Sequence, residues 1–403
     1  MATLSSEHQG LKAVSRDIKH PHAAPNRPMQ VLFFTSSLGN GGAEMHLLRV
    51  INALDRSQVS ASVAVAQRGG TYEAALAADT TIYGLNPPGL SSSTVRMMRA
   101  VRPLERLIRE QQPDIVCSVQ DHANLAAIVA CRRIPNPPRL LLSVQNSPLA
   151  RYSRSWHPLD RAMVILMARL YPQADGIIAL SQGVAGELRS LLRGAPIPPL
   201  EVTYNAGMDA AVEAGAAPLQ NRPAGPLMVA CGRLHPQKGF PHLLEAMAQV
   251  RQVLPAQLWI LGEGPQRPAL ERQIQRLGLT EAVRLLGFQA NPYQYMAAAD
   301  VFVLSSLYEG FGNVVVEAMA CGTPVVATDC PHGPAEILAQ GKHGLLVPPA
   351  DADALAAALL KLLQDAPLRR ALAQAGMARS QDFHGAAIAS QYAALFRRIV
   401  DAA

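Results

Sequence analysis

The sequence predicts an α/β protein made of two Rossmann-like, doubly wound domains that face each other across a cleft. Short continuous apolar runs alternate with helical patterns along most of the 403 residues, as expected of parallel strands covered on both faces. One central stretch, rich in Ala, Gly and Pro and without a clear period, interrupts this alternation. The chain is long enough for a separate core on each side of it, so we expect two domains.

The first domain is expected over residues 29–212. It follows a loose N-terminal tail at 1–28, which lacks the apolar segment of a signal peptide. Helices are predicted at 43–54 and 123–132, among a series of strand candidates. The predicted strands are 31–35, 62–66, 115–119, 140–144, 176–180 and 202–204.

The second domain is expected over residues 226–383, after a linker at 213–225. Strand and helix patterns restart there as in the first domain. A last helical pattern at 384–403 is predicted to cross back to the first domain. The predicted strands are 227–230, 258–261, 283–285, 301–304 and 324–327.

The composition indicates a globular protein. Hydrophobic residues make up 49% of the chain and charged residues 16%, which argues against disorder. No apolar run approaches the roughly 20 residues that span a bilayer. The five cysteines are scattered, with no Cys-x-x-Cys pair, so we expect reduced thiols, a cytoplasmic location and no metal cluster.

A basic surplus lies in the first half of the chain. The first 213 residues hold 21 of the 36 basic residues but only 16 of the 30 acidic ones. Few aromatic residues are interleaved, so nucleic acid is not the expected partner. An anionic membrane surface or an acidic acceptor is favoured.

A row of arginines in the predicted first domain is the basis of a hypothesis that this domain contacts a membrane. Residues 95–110 place these arginines on one helical side and apolar residues on another. Pro103 is expected to kink this helix or to begin a second one. The alternative is an ordinary amphipathic surface helix. The arginines are Arg96, Arg99, Arg102, Arg106 and Arg109.

Two cations follow the first predicted strand of the second domain. Arg233 and Lys238 lie in the segment 231–239, where strand ends of an open α/β sheet bind ligands. One cation about 4 Å from a phosphate charge contributes about 4 kcal/mol at an effective dielectric of about 20, before desolvation. A diphosphate is therefore the expected ligand. The alternative is a pair of surface cations that flank a loop.

Two glycine-rich loops follow other strands. Gly41 and Gly42 lie between the first strand and the first helix, where the backbone can approach a ligand. No Gly-Lys-Ser/Thr follows, which excludes a Walker loop. The segment 261–265 contains Gly262, but Arg267 stands where a dinucleotide loop would have its third glycine. This argues against a nicotinamide enzyme, and a tight turn is the alternative for both loops.

The segment 309–317 carries two carboxylates around a glycine-rich turn that enters a helix. Glu309 precedes the turn and Glu317 lies eight residues later. The turn offers free N–H groups and the positive end of a helix dipole to a phosphate. A helical path would separate the glutamates by about 12 Å, beyond the roughly 5–9.5 Å of a hydrolytic pair. The segment therefore suits one extended ligand, such as a nucleotide-sugar.

Together these motifs resemble the retaining glycosyltransferases of family 4, which have the GT-B fold. The segment 309–317 is similar to the family's glutamate–seven residues–glutamate motif. The motifs occur in the family's order and cover roughly residues 29–400. The others are Gly-Gly-Ala-Glu at 41–44, Gly-Arg-Leu with Lys-Gly within 232–239, Leu-Gly-Glu-Gly-Pro at 261–265 and Glu-Ala-Met-Ala-Cys-Gly-Thr-Pro-Val-Val-Ala at 317–327.

The resemblance implies roles for these residues. Arg233 and Lys238 would hold the donor diphosphate, Glu317 the ribose, and Glu309 would face the transferred sugar. The residues of the glycine-rich loops and the turn would complete the donor site, with backbone amides on sugar or phosphate. They are Gly41, Gly42, Gly262, Gly310, Phe311, Gly312 and Asn313.

The sequence departs from the family's pattern at one position. Many members carry a histidine at the end of a middle strand of the first domain, close to the donor sugar. Here Cys117 and Val119 occupy such a strand end, and His122 comes just after it. His122 is therefore the candidate catalytic histidine. The alternative is a histidine that only starts a helix.

No metal is expected in this enzyme. Asp351 and Asp353 form an Asp-x-Asp pair, but an Ala/Leu-rich helix follows them. Carboxylates at a helix N-terminus are favourable without any metal, so capping is predicted.

The expected activity is transfer of a sugar from a nucleotide diphosphate sugar, with UDP as the expected nucleotide and retention at the anomeric carbon. The expected acceptor is a glycan, a lipid-linked glycan or a polysaccharide precursor, reached in the cytoplasm or on the inner face of the membrane. An inverting transferase, an epimerase and a non-catalytic nucleotide-sugar binder remain as alternatives. Fold analogy alone separates none of them.

Overall fold

The computed structural model describes residues 27–402 except 40, 87–92, 154–157, 218 and 220–221, and it has the expected α/β architecture. Its strands form two sheets, each with parallel pairing throughout. The first sheet contains β1 (Met29–Thr35), β2 (Val59–Val65), β3 (Thr81–Gly84), β4 (Ile115–Val119), β5 (Arg139–Val144), β6 (Gly176–Ala179) and β7 (Leu200–Val202). The second contains β8 (Leu227–Cys231), β9 (Gln257–Leu261), β10 (Val283–Gly287), β11 (Val301–Leu304), β12 (Val325–Thr328) and β13 (Leu345–Val347).

Helices connect and cover the strands. In the first half they are α1 (Gly42–Ala53), α2 (Ser93–Gln111), α3 (Asp121–Cys131), α4 (Pro158–Leu170), α5 (Gln182–Leu191) and α6 (Ala210–Gly215). In the second half they are α7 (Phe240–Val253), α8 (Arg267–Arg276), α9 (Tyr293–Ala298), α10 (Asn313–Ala320), α11 (Pro334–Ile337), α12 (Ala352–Gln364), α13 (Ala366–Ser380) and α14 (Gly385–Asp401).

The strand order determines where a ligand can bind. It is β3-β2-β1-β4-β5-β6-β7 in the first sheet and β10-β9-β8-β11-β12-β13 in the second. Each order reverses beside its first strand, between β1 and β4 and between β8 and β11. The loops after these strands flank the crevice in which open α/β sheets bind ligands. The order thus brings residues 232–239 and 305–312 together, although they are far apart in sequence.

Helix α14 returns to the first domain, as predicted. The ring of Phe396 lies edge-on to Phe33 of β1, with 6.0 Å between the ring centroids. The hydroxyl of Tyr392 lies 3.0 Å from Nε2 of the buried His46 in α1. The C-terminal segment is therefore part of the first domain's core.

Two strands of the structure were not predicted from the sequence. The strands β3 and β13 have four and three residues and lie at sheet edges, where burial is incomplete. Their apolar runs are too short to stand out. The first residues of the predicted linker also differ from expectation, because 210–215 form α6, whose N-cap Asp209 accepts a hydrogen bond from the Val212 amide. The predicted tail at 1–28 lies outside the described residues apart from Arg27 and Pro28.

The arginine-rich segment is one helix, α2, that continues through Pro103. The predicted second helix at that proline is therefore wrong, because the proline is accommodated within the helix. Met97, Leu104 and Ile108 are buried in the core of the first domain, as an ordinary amphipathic helix requires. The apolar side therefore does not face solvent, whereas Arg102 and Arg106 do.

The described helices include none that is long and apolar enough to cross a membrane. All five cysteines are unpaired thiols. Burial raises the pKa of Cys231, Cys321 and Cys330 to about 12, so these thiols stay protonated at neutral pH.

Candidate active site

The centre of the candidate site is an ion pair between the two loops that the second sheet brings together. Nζ of Lys238 lies 2.5 Å from Oε1 of Glu309. Ser306 donates its hydroxyl to the same carboxylate oxygen at 2.6 Å. Glu309 is only 6% exposed, so these two donors fix its orientation in the cleft. The structure therefore brings together two residues that the sequence predicted separately.

Close backbone packing shapes the loop that carries Arg233 and Lys238. Gly262 has φ +133°, and a Cβ there would lie 2.0 Å from the carbonyl oxygen of Gly232. Gly239, at φ +61°, would likewise meet the Ser305 carbonyl oxygen at 2.1 Å. Only glycine fits either position. Gly262 thus supports the loop from beneath, and its predicted contact with the donor stays a prediction.

Arg233 is exposed at the carboxyl end of β8, where it can reach a ligand in the cleft. Its charge acts on His235. Partial burial lowers the pKa of His235, and the nearby charges of Arg233, Arg151 and Lys238 lower it further. Arg151 belongs to the first domain, in a π-helical turn at Leu149–Ser153. Positive charge therefore comes to this region from both domains, as a diphosphate would need.

The turn after Glu309 lies against the first domain. A Cβ on Gly310 would lie 3.0 Å from both the Asn146 Cα and the Gln145 carbonyl oxygen. Gly312 has φ +101° and is the N-cap of α10. The first amides of this helix have no acceptor within the helix, so the turn offers donors and a helix dipole at the cleft.

Phe311 is the exception within this turn. Its side chain is 2% exposed and packs between Tyr204 and Phe383, with centroid distances of 5.6 and 5.5 Å. The Phe311 side chain is therefore part of the core, and the expected contact of its backbone amide with the donor stays a prediction. Only its backbone can contact a ligand.

Asn313 joins α10 to the glycine-rich loop of the first domain. Its Nδ2 donates to the Gly42 carbonyl oxygen at 2.9 Å, and its Oδ1 accepts from Asn205 at 3.1 Å. Gly41 is the N-cap of α1 with extended backbone. Gly41, Gly42 and Asn313 therefore meet at one place, where the two domains touch.

Glu317 is held by a residue of the first domain that the sequence analysis did not single out. Nη1 of Arg49, in α1, lies 3.1 Å from Oε1 of Glu317. Burial raises the pKa of the Glu317 carboxyl group, and Arg49 opposes this shift. The sequence held a signal, because Arg49 interrupts the apolar run 47–51 of α1. A charge inside such a run indicates a buried partner.

His122 is the second residue of α3 and lies three residues after Val119, the last residue of β4. It is half-buried, and burial lowers its pKa, whereas its neighbour Asp121 raises it. Asp121 is buried and accepts a hydrogen bond from the Tyr152 hydroxyl at 2.9 Å. His122 thus lies beyond the carboxyl end of the central strand β4, where open α/β sheets bind ligands. This position fits both the catalytic role and the helix-start alternative.

A second link between the domains starts beside Glu309. The His332 amide donates to the Glu309 carbonyl oxygen at 2.8 Å, and its Nε2 lies 2.8 Å from Oε1 of Glu187 in α5. Glu187 also accepts from the Leu149 amide at 3.0 Å, at the start of the turn that carries Arg151. These residues lie far apart in sequence, so no local pattern could have found them.

The Asp-x-Asp pair has the predicted capping role. Asp351 is the N-cap of α12 and accepts a hydrogen bond from the Ala354 amide at 2.9 Å. Asp353 accepts from the Gln249 side chain at 2.7 Å. In the described part of the chain, no group of three or more His, Cys, Asp or Glu residues is arranged to hold a metal ion.

Comparisons with known proteins agree with this architecture. A family model described as Glycosyltransferase Family 4 matches residues 40–206, and one described as Glycosyl transferases group 1 matches residues 225–365. Sucrose-phosphate synthase from Thermosynechococcus elongatus superposes with a TM-score of 0.81 at 22% identity, covering 93% of this chain and all of that one. Anabaena HepE in complex with UDP-glucose has a TM-score of 0.74 at 25% identity, covering 92% of this chain and all of that one.

Two curated relatives extend over most of their own lengths. One is a Campylobacter jejuni enzyme, N-acetylgalactosamine-N,N'-diacetylbacillosaminyl-diphospho-undecaprenol 4-alpha-N-acetylgalactosaminyltransferase. It is 33% identical over 275 residues, 66% of this chain and 71% of that protein. The lipopolysaccharide core biosynthesis glycosyltransferase LpsD of Rhizobium meliloti is 28% identical over 371 residues, 89% of this chain and 95% of that protein.

The two parallel sheets and the cleft between them, together with these similarities, define a glycosyltransferase of the GT-B fold. Within that class, the chain belongs to glycosyltransferase family 4.

Proposed function

We propose that this enzyme transfers a sugar from a UDP-sugar, with retention of anomeric configuration, to a glycan or lipid-linked acceptor. The observation that carries the proposal is the Lys238–Glu309 pair. It joins the loop of Arg233 and Lys238 to the turn that precedes α10. Structures of HepE with UDP and with UDP-glucose support the choice of donor, at 25% identity.

The donor would lie along the edge of the second domain. Arg233, Lys238 and the first amides of α10 would bind the diphosphate, because all three present positive charge or N–H donors. Oε2 of Glu309 would accept a hydrogen bond from a hydroxyl of the sugar, since Lys238 and Ser306 both donate to Oε1. Glu317 would accept hydrogen bonds from the ribose hydroxyls. Two glutamates with separate partners fit two ends of one ligand.

The proposed reaction breaks the bond between the anomeric carbon and the β-phosphate oxygen. The acceptor oxygen forms a new bond to that carbon on the same face, and its proton passes to the leaving phosphate. UDP leaves with the electron pair of the broken bond. Arg233, Lys238 and the α10 amides would stabilise this growing charge, which is electrostatic catalysis by preorganised groups.

The acceptor would be bound by the first domain. The Campylobacter jejuni relative is named for a diphospho-undecaprenol-linked acceptor, and the Rhizobium meliloti relatives for lipopolysaccharide core biosynthesis. We infer that the acceptor substrate is a precursor of a surface glycan or polysaccharide. The exposed Arg102 and Arg106 of α2 fit an anionic membrane surface beside a lipid-linked acceptor, and the unpaired thiols fit the cytoplasm.

A donor panel tests the proposal. The purified enzyme is incubated with UDP-, GDP- and dTDP-sugars and with glycan or undecaprenyl-linked acceptors, and mass spectrometry identifies the products. NMR of the new linkage then shows its anomeric configuration. Retention with a UDP-sugar is expected. Inversion, or exclusive use of another nucleotide, would contradict the proposal.

Two substitutions test the assigned roles. Arg233→Ala and Glu317→Ala are each expected to lower kcat/KM by at least about tenfold, as for lost hydrogen bonds to charged groups. Glu281→Ala, at an exposed position of the second domain outside the predicted motifs, is the matched control. Unchanged activity in both variants would remove these residues from the site.

A further inference from the structure

Arg49 is a buried cation with four partners from both domains. It is 2% exposed, and its Nη1 donates to the Ala206 carbonyl oxygen at 3.2 Å as well as to Glu317 at 3.1 Å. Its Nε donates to Asp209 at 3.1 Å and its Nη2 to the Tyr293 hydroxyl at 3.0 Å. The planar guanidinium is thus held in one orientation.

These contacts cross the boundary between the domains. Arg49 lies in α1 of the first domain, whereas Glu317 in α10 and Tyr293 in α9 belong to the second. Among the described residues, the hydrogen bond from Arg49 to the Glu317 side chain uses Oε1. The other carboxylate oxygen, Oε2, is therefore the one left for a ligand hydroxyl.

The charge of Glu317 depends on this arginine. Burial raises the pKa of the carboxyl group, and Asp209 adds repulsion. The other groups that face it are Tyr72, Tyr293, Cys231 and Cys321, which are neutral at physiological pH. Arg49 is the cation that opposes these effects, and burial in turn makes its attraction strong.

We propose that Arg49 is a positioning residue for nucleotide binding, which keeps Glu317 ionised and oriented toward the ribose of the donor. The inference rests on the proposed role of Glu317 in binding that ribose. It adds that a residue of the acceptor-binding domain is needed to complete the nucleotide site. Ribose recognition would therefore require both domains to be in contact.

The test measures ribose selectivity rather than affinity alone. Calorimetry gives Kd for UDP and for 2′,3′-dideoxy-UDP, and their ratio reports the hydroxyl contact. The wild-type ratio is expected to be at least about tenfold, the range for a hydrogen bond to a charged group. In Arg49→Met the ratio should fall toward one, and Arg49→Lys should recover part of it.

A pH series separates positioning from folding. Wild-type selectivity is expected to fall less between about pH 8 and pH 6 than that of Arg49→Met, because Arg49 opposes protonation of the buried Glu317 carboxyl group. In Arg49→Met the ratio should shrink as pH falls, since the unopposed carboxyl group takes up a proton. Glu317→Gln should show a low, pH-independent ratio, and adding Arg49→Met to it should change the ratio no further. This double variant also removes the unpaired charge if Arg49→Met alone folds poorly.

Arg56→Met is the matched control. Arg56 follows α1 and forms an ion pair with Asp79 at 2.7 Å within the first domain. It should keep the wild-type ratio. Wild-type selectivity in folded Arg49→Met at every pH would overturn the inference alone. Failure of the wild type to bind UDP would overturn the proposed function, and this inference with it.

Discussion

Lys238 and Glu309 form an ion pair of 2.5 Å across two loops that are 71 residues apart in the sequence. The pair exists because β8 and β11 are neighbours, with Val301 paired to Met228 and Phe302 to Val229. Their loops leave the same edge of the sheet at the point where strand order reverses. The cation proposed for the diphosphate and the carboxylate proposed for the sugar are thus held together.

Lys238→Met is expected to lower kcat about 100- to 1,000-fold, because it removes a charge that would stabilise the leaving diphosphate. Steady-state kinetics with the preferred donor measure this. Lys361→Met, on the exposed side of α12, controls for loss of a lysine elsewhere.

The same substitution leaves Glu309 buried without its cation, so the melting temperature should fall too. Adding Glu309→Gln should restore thermal stability without restoring activity. If Lys238→Met keeps wild-type kcat, the proposed charge stabilisation is wrong.

Phe311→Ala is expected to destabilise the protein by about 3–5 kcal/mol, as for other buried phenylalanines. Its ring fills the space between Tyr204 and Phe383. Urea unfolding at equilibrium gives the change in free energy of unfolding. The exposed Phe288 provides the control, and Phe288→Ala should change stability by less than about 0.5 kcal/mol. Equal stability of the two variants would contradict the buried position of Phe311.

Stability should depend on pH through His46. Burial, and then Arg49, lower the pKa of His46 to about 3. The unfolded chain titrates near pH 6.5, so it takes up a proton at acidic pH that the folded protein refuses. The contribution of neutral His46 is therefore present above about pH 6.5 and is lost as pH falls toward about 3, at up to about 1.4 kcal/mol per pH unit.

His46→Gln isolates this effect. Glutamine does not titrate, so the difference in unfolding free energy between wild type and variant should change between about pH 7 and pH 5. Urea unfolding at several pH values measures it, and His242→Gln, on the part-exposed side of α7, is the control. A difference that does not vary with pH would show that His46 does not resist protonation.

Activity is expected to survive metal removal. Positive charge for the diphosphate would come from Arg233, Lys238 and the α10 amides, while Asp351 serves as a helix cap. Initial rates after dialysis against EDTA should match those of the untreated enzyme to within about twofold. An enzyme that used a metal ion would lose far more activity, because a lost metal contact costs several kcal/mol. Restoration of lost activity by Mg²⁺ or Mn²⁺ alone would refute this prediction.

The sequence predicted the strands on either side of the cleft because they are buried and strongly apolar. The strands β4 and β11 have the predicted bounds, 115–119 and 301–304. The edge strands β3 and β13 did not emerge, since three or four half-exposed residues carry little apolar pattern. Glycine positions were also readable, because Gly239 and Gly262 need backbone conformations and close approaches that other residues cannot adopt.

Local pattern alone thus determined the two α/β domains, their order, and the glutamates, cations and glycine loops of the candidate site. The tertiary structure decided which of these groups meet. It placed the Phe311 side chain in the core, buried the apolar side of α2, and paired Arg49 of the first domain with Glu317 of the second. The physical reason is that periodicity and residue type report burial along one element, whereas a contact between distant elements depends on strand order and domain packing.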